Sequence, residues 1–235
     1  MMEREKEKLF AVFGLSMFGL EICRVLAANG KKVICVDKSQ EMVERIKNSV
    51  TQAVLLDSTD EDALRNAGLQ DVDVAIVAMG SHVDSSILTT VSLKNLGIPH
   101  VIARAVSAVH AQVLMKVGAT EVMNLEIEEG RRLANRLISP ELKDVIPLSS
   151  DQVLAEFRVR AEFVGKSLRD LEIRKRFNVN IISVKRTKTD IDMMGNPKRN
   201  DLIFSPKPMD ILEVNDIMVL LGTTKDINAL KGAVS

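Results

Sequence analysis

Tryptophan and tyrosine are absent from this 235-residue chain, and phenylalanine alone supplies its 3% of aromatic residues. A stacking platform for single-stranded nucleic acid needs exposed rings, so that class of function is disfavoured. No charge of one sign prevails either. The 32 basic and 32 acidic side chains cancel, and nothing global draws the chain to DNA or anionic lipid. Cysteine is scarce: Cys23 and Cys35 have neither metal-ligand nor redox spacing and read as small core residues of a reducing compartment. The N-terminal MMEREKEK is charged, and five apolar residues separate it from Gly14. That leaves no signal-peptide core and no run of the roughly 17–25 apolar residues a membrane helix requires. The cytosol is the expected location.

Catalytic signatures are missing as well. There is no nucleophile elbow, no GxxxxGK[ST] loop and no clustered Cys/His metal set. Of the three histidines, His100 starts an apolar run and reads as structural, and His110 falls in a helix with a surface or packing role. His82 is the one that could approach a ligand, without a carboxylate or lysine placed to orient it. Neither end of the chain carries a helix-turn-helix with a basic recognition helix. A catalyst is therefore disfavoured; a soluble NAD(P)-dependent oxidoreductase using His82 as donor is the alternative.

What the chain does have is hydrophobic residues, 46% of it, in an ordered rhythm. From Leu9 to about Asn124, short β-branched runs (LFAVFG, KVICVD, AVLLD, VDVAIVA, HVIARA, EVMN) alternate with amphipathic segments beginning near Phe18, Gln40, Glu61, Ser85 and Ala108. Several runs are apolar on both faces, which predicts a parallel sheet between two layers of helices. Gly30, Gly68, Gly97 and Gly118 stand where helices should stop. Next, EIEEGRRLANRLISP predicts a helix with Ile127, Leu133, Leu137 and Ile138 on one side, ended by Pro140, with ELKDVIP as connector. Beyond Leu148 the rhythm changes. Strands VLAEFRV, VNIISVKR, DLIFSP and DIMVLLG, a helix at SLRDLEIRKRF, a charged hairpin with GNPKRN and a terminal helix at KDINAL predict a small, mixed or antiparallel α+β unit. The expected fold class is thus α/β: a Rossmann-like parallel-sheet domain (1–125), a crossover helix with connector (126–147) and a small α+β domain (148–235).

The loop GLSMFG at 14–19 follows the first strand. Gly14 permits the tight turn and Gly19 lets the next helix approach the sheet, so that the helix-start amides face an anion. Asp37 ends the second strand 23 residues after Gly14, near the spacing at which an acid meets ribose hydroxyls. Ser16 occupies the position of the usual middle glycine. Its Cβ takes up space by the pyrophosphate, and a positive φ there would add about 1–2 kcal/mol of strain. Its hydroxyl can instead cap the helix or donate to phosphate. Asp57, Ser58 and Thr59, then Ala78, Met79 and Gly80, then Arg104, fall at the carboxyl ends of later strands, where such sheets place ligands. Asp57 and Thr59 have helix N-capping as an equal reading. Arg104 is the cation placed for a terminal phosphate, or else a surface ion pair. Glu126 could meet a metal ion on that phosphate, or serve only the helix dipole.

Nearly the whole chain resembles one family, the TrkA/KtrA-type cytosolic regulatory subunits of bacterial potassium uptake systems. Those proteins pair an N-terminal regulator-of-potassium-conductance (RCK) domain with a small C-terminal one. The resemblance is carried by FAVFGLSMFG, VICVDKSQEMV, TQAVLLDSTDEDALRNAGL, SSILTTVSLKNLGI, VIARAVSAVHAQVLMKVGATEVMNLEIEEGRRLA, VGKSLRDLEIRKRFNVNIISVKR and LEVNDIMVLLG. It implies a non-catalytic gating subunit that binds ATP, ADP or NAD(H), with Mg or another cation at the phosphate end. By motif match it also implies Gly14, Ser16, Met17, Phe18 and Gly19 as the phosphate loop. Asp37 and Lys38 fall on the ribose and adenine side, and Asp57, Ser58, Thr59, Ala78, Met79 and Gly80 line the pocket. Arg104 and Glu126 fall at the phosphate end. The family loop usually reads GLGRFG, so Met17 replaces an arginine worth about 1.5–3 kcal/mol of charged contact. The resemblance further implies dimers built into a ring of eight, docked on a membrane-embedded potassium-translocating subunit. It also implies cyclic di-AMP at a dimer interface of the C-terminal domain, with Arg174 and Asn180 at the matching positions.

Overall fold

The computed structural model describes residues 8–191 and 197–232, and the chain divides between Glu129 and Gly130 into two compact units. Most of the charged N-terminal stretch and residues 192–196, which include the first two of GNPKRN, lie outside the described residues.

The first unit is a six-stranded parallel sheet of β1 (Leu9–Phe13), β2 (Lys32–Asp37), β3 (Gln52–Leu55), β4 (Val74–Val77), β5 (His100–Arg104) and β6 (Glu121–Met123), in the order β3-β2-β1-β4-β5-β6. Between the strands run α1 (Met17–Ala28), α2 (Gln40–Ile46), α3 (Glu61–Asn66), α4 (Val83–Asn95) and α5 (Ala108–Val117). Successive strand residues point to opposite faces, and the core divides accordingly. Val12, Val33, Cys35 and Ile76 pack with Leu20 and Cys23 of α1 and Val43 and Ile46 of α2. Phe13, Val36, Val77 and Val101 pack with Leu64 of α3, Leu93 of α4 and Leu114 of α5. All four residues of β4 are buried, which is why VAIV reads as an unbroken apolar run. Burying each large aliphatic side chain contributes about 1.5–3 kcal/mol. Chain order reverses between β1 and β4, and a doubly wound sheet opens its crevice at that switch point.

Both cysteines are buried and unbridged, with sulfurs 2.7 Å apart across α1 and β2. Hydrogen bonding to Cys23, and then burial, push the Cys35 thiol far up. His110 of α5 is buried too. It takes the Val106 N–H on Nδ1 at 3.4 Å and lies 2.9 Å from the Ser86 hydroxyl through Nε2. Since Ser86 donates to the Val83 carbonyl at 3.1 Å, the neutral ring carries its proton on Nε2.

Next comes α6 (Leu125–Ile138), which has no buried residue: Ile127, Leu133, Leu137 and Ile138 are all exposed. The second unit is an antiparallel sheet of β7 (Leu142–Pro147), β8 (Gln152–Arg158), β9 (Asn180–Ile191), β10 (Pro197–Phe204) and β11 (Ile217–Thr223), in the order β10-β9-β11-β8-β7. The segment read as a connector is therefore strand β7. It lies at a sheet edge, where Val145 and Ile146 stay exposed and Pro147 at its end is tolerated, so it lacks the alternation that marks a half-buried strand. The helix expected at SLRDLEIRKRF is two short ones, α7 (Leu168–Leu171) and α8 (Ile173–Phe177). Glu172 between them has φ 44°, a left-handed conformation costing about 1–2 kcal/mol. The break lets Leu171 and Ile173 both reach the core formed with Phe157, Met218 and Leu220 and with Ile227 of the terminal helix α9 (Thr224–Gly232). Among the described residues no helix is long and apolar enough to cross a membrane.

A bidentate ion pair fastens the second unit. Arg186 Nε and a terminal nitrogen donate to the two oxygens of Asp216 at 2.9 and 2.7 Å, and that nitrogen also donates to the Ile211 carbonyl at 2.9 Å. The Asp216 carboxylate is wholly buried and accepts the Glu213 N–H as well. Removing one partner of such a pair strands a charge. Asp216→Ala is expected to destabilise the second unit by about 3–5 kcal/mol, read as an earlier urea transition at probes in that unit.

Burial holds the His110 pKa below its ordinary value. The neutral ring's contribution to stability is then complete above about pH 6.5, and it shrinks as falling pH protonates first the unfolded and then the folded chain. Urea midpoints between pH 7.5 and 5 should fall in the wild type and fall less in His110→Gln.

Candidate functional site

The glycine loop joins β1 to α1 at the switch point. Gly14 N–H donates to the Val36 carbonyl at 2.9 Å, extending the β1–β2 ladder by one bond. The chain then turns at φ 92°, where a Cβ on Gly14 would lie 2.8 Å from the Met79 side chain. Gly19 packs so tightly that a Cβ there would fall 2.0 Å from the Gly14 carbonyl oxygen. Ser16 has φ −61° and ψ 175°, so the positive φ considered for it does not occur and the serine carries no strain of that kind. It is the N-cap residue of α1 but makes no capping bond. Its hydroxyl reaches instead toward the Ala78 carbonyl at 3.5 Å. The first turn of α1 also holds no acidic residue, so the positive end of that helix has no anion of its own.

Beside this loop lies a cavity of about 190 Å³, lined in part by Gly14, Ser16, Asp37, Lys38, Asp57, Ser58, Met79 and Gly80. The strand ends bring these eight residues together from four segments. Leu15, Val36, Leu56, Ser81, His82 and Ser85 line it as well. Of these, only His82 had been weighed from sequence, as a catalytic donor. Leu15, Val36 and Leu56 lie inside segments singled out in the sequence, and Ser81, His82 and Ser85 follow Gly80 within five residues.

The other expected residues stand back from the cavity. Met17 is 89% exposed. Gly19 is buried against Gly14, and Ala78 is wholly buried in the sheet. Thr59 is held by Asp57, whose carboxylate accepts its amide at 3.0 Å and its hydroxyl at 2.8 Å. Those bonds, the amide's first, hold the Asp57 carboxyl below its usual range, with a smaller contribution from Lys38. The capping role weighed for Asp57 and Thr59 falls to Asp60, which accepts the Ala63 N–H at 3.0 Å. Ser58 is buried and hydrogen-bonded to Thr89 at 2.8 Å.

Arg104 lies 5.7 Å from the centre of the Phe18 ring and pairs with Glu126 at the start of α6. Its guanidinium rests against Gly80, where a Cβ would come within 2.9 Å. Its Nε is buried without a hydrogen-bond partner. The Arg104 guanidinium holds the Glu126 carboxyl below the usual range. In the second unit Arg174 is exposed on α8, and Asn180 opens β9 half-buried.

Residues 10–125 match the family model of the TrkA-N domain, and residues 154–234 match that of the TrkA-C domain. The Ktr system potassium uptake protein C of Bacillus subtilis (strain 168) is 33% identical over 228 residues, which is 97% of this chain and 98% of that protein. The solved structure of the GsuK channel bound to NAD shares the fold, with a TM-score of 0.64 at 19% identity over 98% of this chain and 40% of that one. The chain thus spans under half the length of that channel. The NAD(P)-binding domain of an exopolyphosphatase-related protein from Archaeoglobus fulgidus has a TM-score of 0.50 at 26% identity, over 56% of this chain and 98% of that domain.

The packing of Gly80 on Arg104 predicts a measurable shift. In Gly80→Ala the guanidinium must move, and in Arg104→Ala it is gone. In both variants the Glu126 carboxyl should titrate closer to the ordinary glutamate value, about 4.3, followed by carbon-13 NMR of the side chain.

Proposed function

This chain belongs to the family of potassium-uptake proteins built from a TrkA-N and a TrkA-C domain, and from that premise we propose that it is a non-catalytic, nucleotide-binding regulatory subunit of a potassium transport system. One observation carries the nucleotide part. The start of α1, free of any side-chain cap or first-turn acid, lies next to a cavity bordered by Asp37 and the glycine loop. A helix N-terminus of that kind favours phosphate, and an acid at the end of the second strand favours ribose. The residues fit such a ligand: Gly14 and Gly19 let the start of α1 come close to the strand ends, where a Cβ would collide with Met79 or with the Gly14 carbonyl, and Arg104 retains an unused buried donor.

The ligand is ATP, ADP or NAD(H). Gly14, Ser16, Met17 and Phe18 cradle the phosphates, and Gly19 lets their helix pack close enough to do so. Asp37 and Lys38 hold the ribose and adenine side, and Asp57 and Ser58 with Met79 and Gly80 form the wall. The cavity is below the roughly 300–1,000 Å³ usual for small-molecule sites, so it takes one end of the ligand while the phosphates run along α1 toward Arg104. A cation there, Mg or another, competes with Arg104 for Glu126. Among the described residues no group of three or more Asp, Glu, His or Cys could hold a metal by itself, so phosphate oxygens complete its shell. Cyclic di-AMP is the second ligand, on Arg174 and Asn180.

The exposed apolar stripe of α6 is the face for a second copy, and dimers assemble into a ring of eight. The ring docks on the inner face of a membrane-embedded potassium-translocating subunit. A ligand shifts such an assembly only through different affinities for its states, and the length and charge of the phosphate chain supply that difference.

Mass spectrometry of ligand co-purified with the protein, then titration with ATP, ADP and NADH under small-angle X-ray scattering, tests the proposal. An assembly whose scattering curve differs between ATP and ADP is expected. Binding of no adenine nucleotide at millimolar supply, or steady consumption of NADH with a carbonyl substrate, would sink it, the latter in favour of an oxidoreductase.

A further inference from the structure

Asp37 does more than end the second strand. Its Oδ2 accepts the N–H of Leu15 at 2.6 Å, and its Oδ1 accepts the N–H of Ser39 at 2.8 Å. One carboxylate therefore ties together the end of β2, the glycine loop and the residue that opens α2. The backbone ladder between β1 and β2 stops at Gly14, whose positive φ turns the chain out of the sheet. The next amide, that of Leu15, has lost the main-chain acceptor it would have had in a longer strand. Its side chain is completely buried in the apolar cluster with Leu20, Cys23 and Cys35, so the residue cannot swing out to find water without leaving the core. The carboxylate supplies the missing acceptor, and the following residue, Ser16, starts α1.

From this geometry we infer that Asp37 is a positioning residue, which acts on a bound nucleotide through the glycine loop by fixing the direction of the α1 amides. The inference rests on the nucleotide reading above for its ligand, but not for its geometry. It is compatible with contact to a ribose, because an ionised carboxylate has about four acceptor positions and the two backbone amides use two. It differs in consequence: a residue that served the ribose alone would be irrelevant to a ligand without ribose hydroxyls, whereas a residue that shapes the loop matters to any ligand whose phosphates meet α1. The loop lends itself to this role because Ser16 does not cap α1, leaving the side chain of Asp37 to hold the turn.

Two measurements test it. Hydrogen exchange of the ligand-free wild type should show the Leu15 amide protected, and Asp37→Asn should speed its exchange at least tenfold. An asparagine has one acceptor oxygen for two amides, and its NH₂ group would face a donor. Unchanged protection at Val12 and Ile76 in the central strands verifies that the variant is folded. Calorimetric titration with ATP and with 2′,3′-dideoxy-ATP should then show the variant weaker for both by a similar factor, on the order of tenfold. A Leu15 amide that exchanges freely in the wild type overturns the inference without any variant, as does a variant that loses ATP affinity but holds dideoxy-ATP as tightly as the wild type. If the wild type binds neither compound, the nucleotide reading fails, and the exchange of Leu15 in Asp37→Asn alone decides whether the carboxylate holds the loop.

Discussion

The carbonyl oxygen of Gly14 lies where any side chain on Gly19 would have to be, 2.0 Å from its Cβ position. Helix α1 can approach the end of β1 this closely only because residue 19 has no side chain. Its first turn is thereby brought to the switch point of the sheet and beside the cavity. Leu20 and Cys23, on the inner side of the same helix, are buried in the core with Val12 and Cys35, so the apolar packing that stabilises the unit also fixes where the helix dipole is aimed. A single close approach thus couples the stability of the first unit to the geometry of its candidate site.

Polar groups around the loop are arranged so that few are wasted and one is held in reserve. Asp37 satisfies two backbone amides, Asp57 satisfies Thr59, and Ser58 pairs with Thr89. Arg104 is the exception, with Phe18 beneath it, Gly80 against it, Glu126 as its ion partner and a buried Nε without an acceptor. An unsatisfied buried donor costs about 1–3 kcal/mol. That cost falls on a residue packed against Gly80, which itself lines the cavity. In the second unit the Arg186–Asp216 pair is satisfied on every side, and its role is to hold the sheet together.

Much of this molecule was legible from its residues. The doubly wound sheet followed from apolar runs alternating with amphipathic segments, because strands buried on both faces read as near-continuous apolar runs and their shortness and β-branched content set them apart from buried helices. The left-handed turns at Gly30, Gly68, Gly97 and Gly118 followed from glycine placement, and all four have positive φ. Strand β7 escaped notice because an edge strand buries little and alternates weakly. The break at Glu172 escaped because a left-handed glutamate has no sequence signature; only the simultaneous burial of Leu171 and Ile173 calls for it. The weighed strain at Ser16 was a question of φ, and composition does not report φ.

The order of residues by itself determined which segments of the first unit are strands and helices, where the chain turns between them, and that a glycine loop and an acid would fall at neighbouring strand ends. These are matters of local periodicity and backbone sterics, set within a few residues. Only the tertiary structure decided which side chains meet. Asp37 meets the amide of Leu15, 22 positions away, His110 meets Ser86, 24 away, and Arg104 settles on Phe18, Gly80 and Glu126 together. Those meetings depend on how helices seat on the sheet, and that seating is settled by the fit of many buried side chains at once, which no stretch of sequence contains.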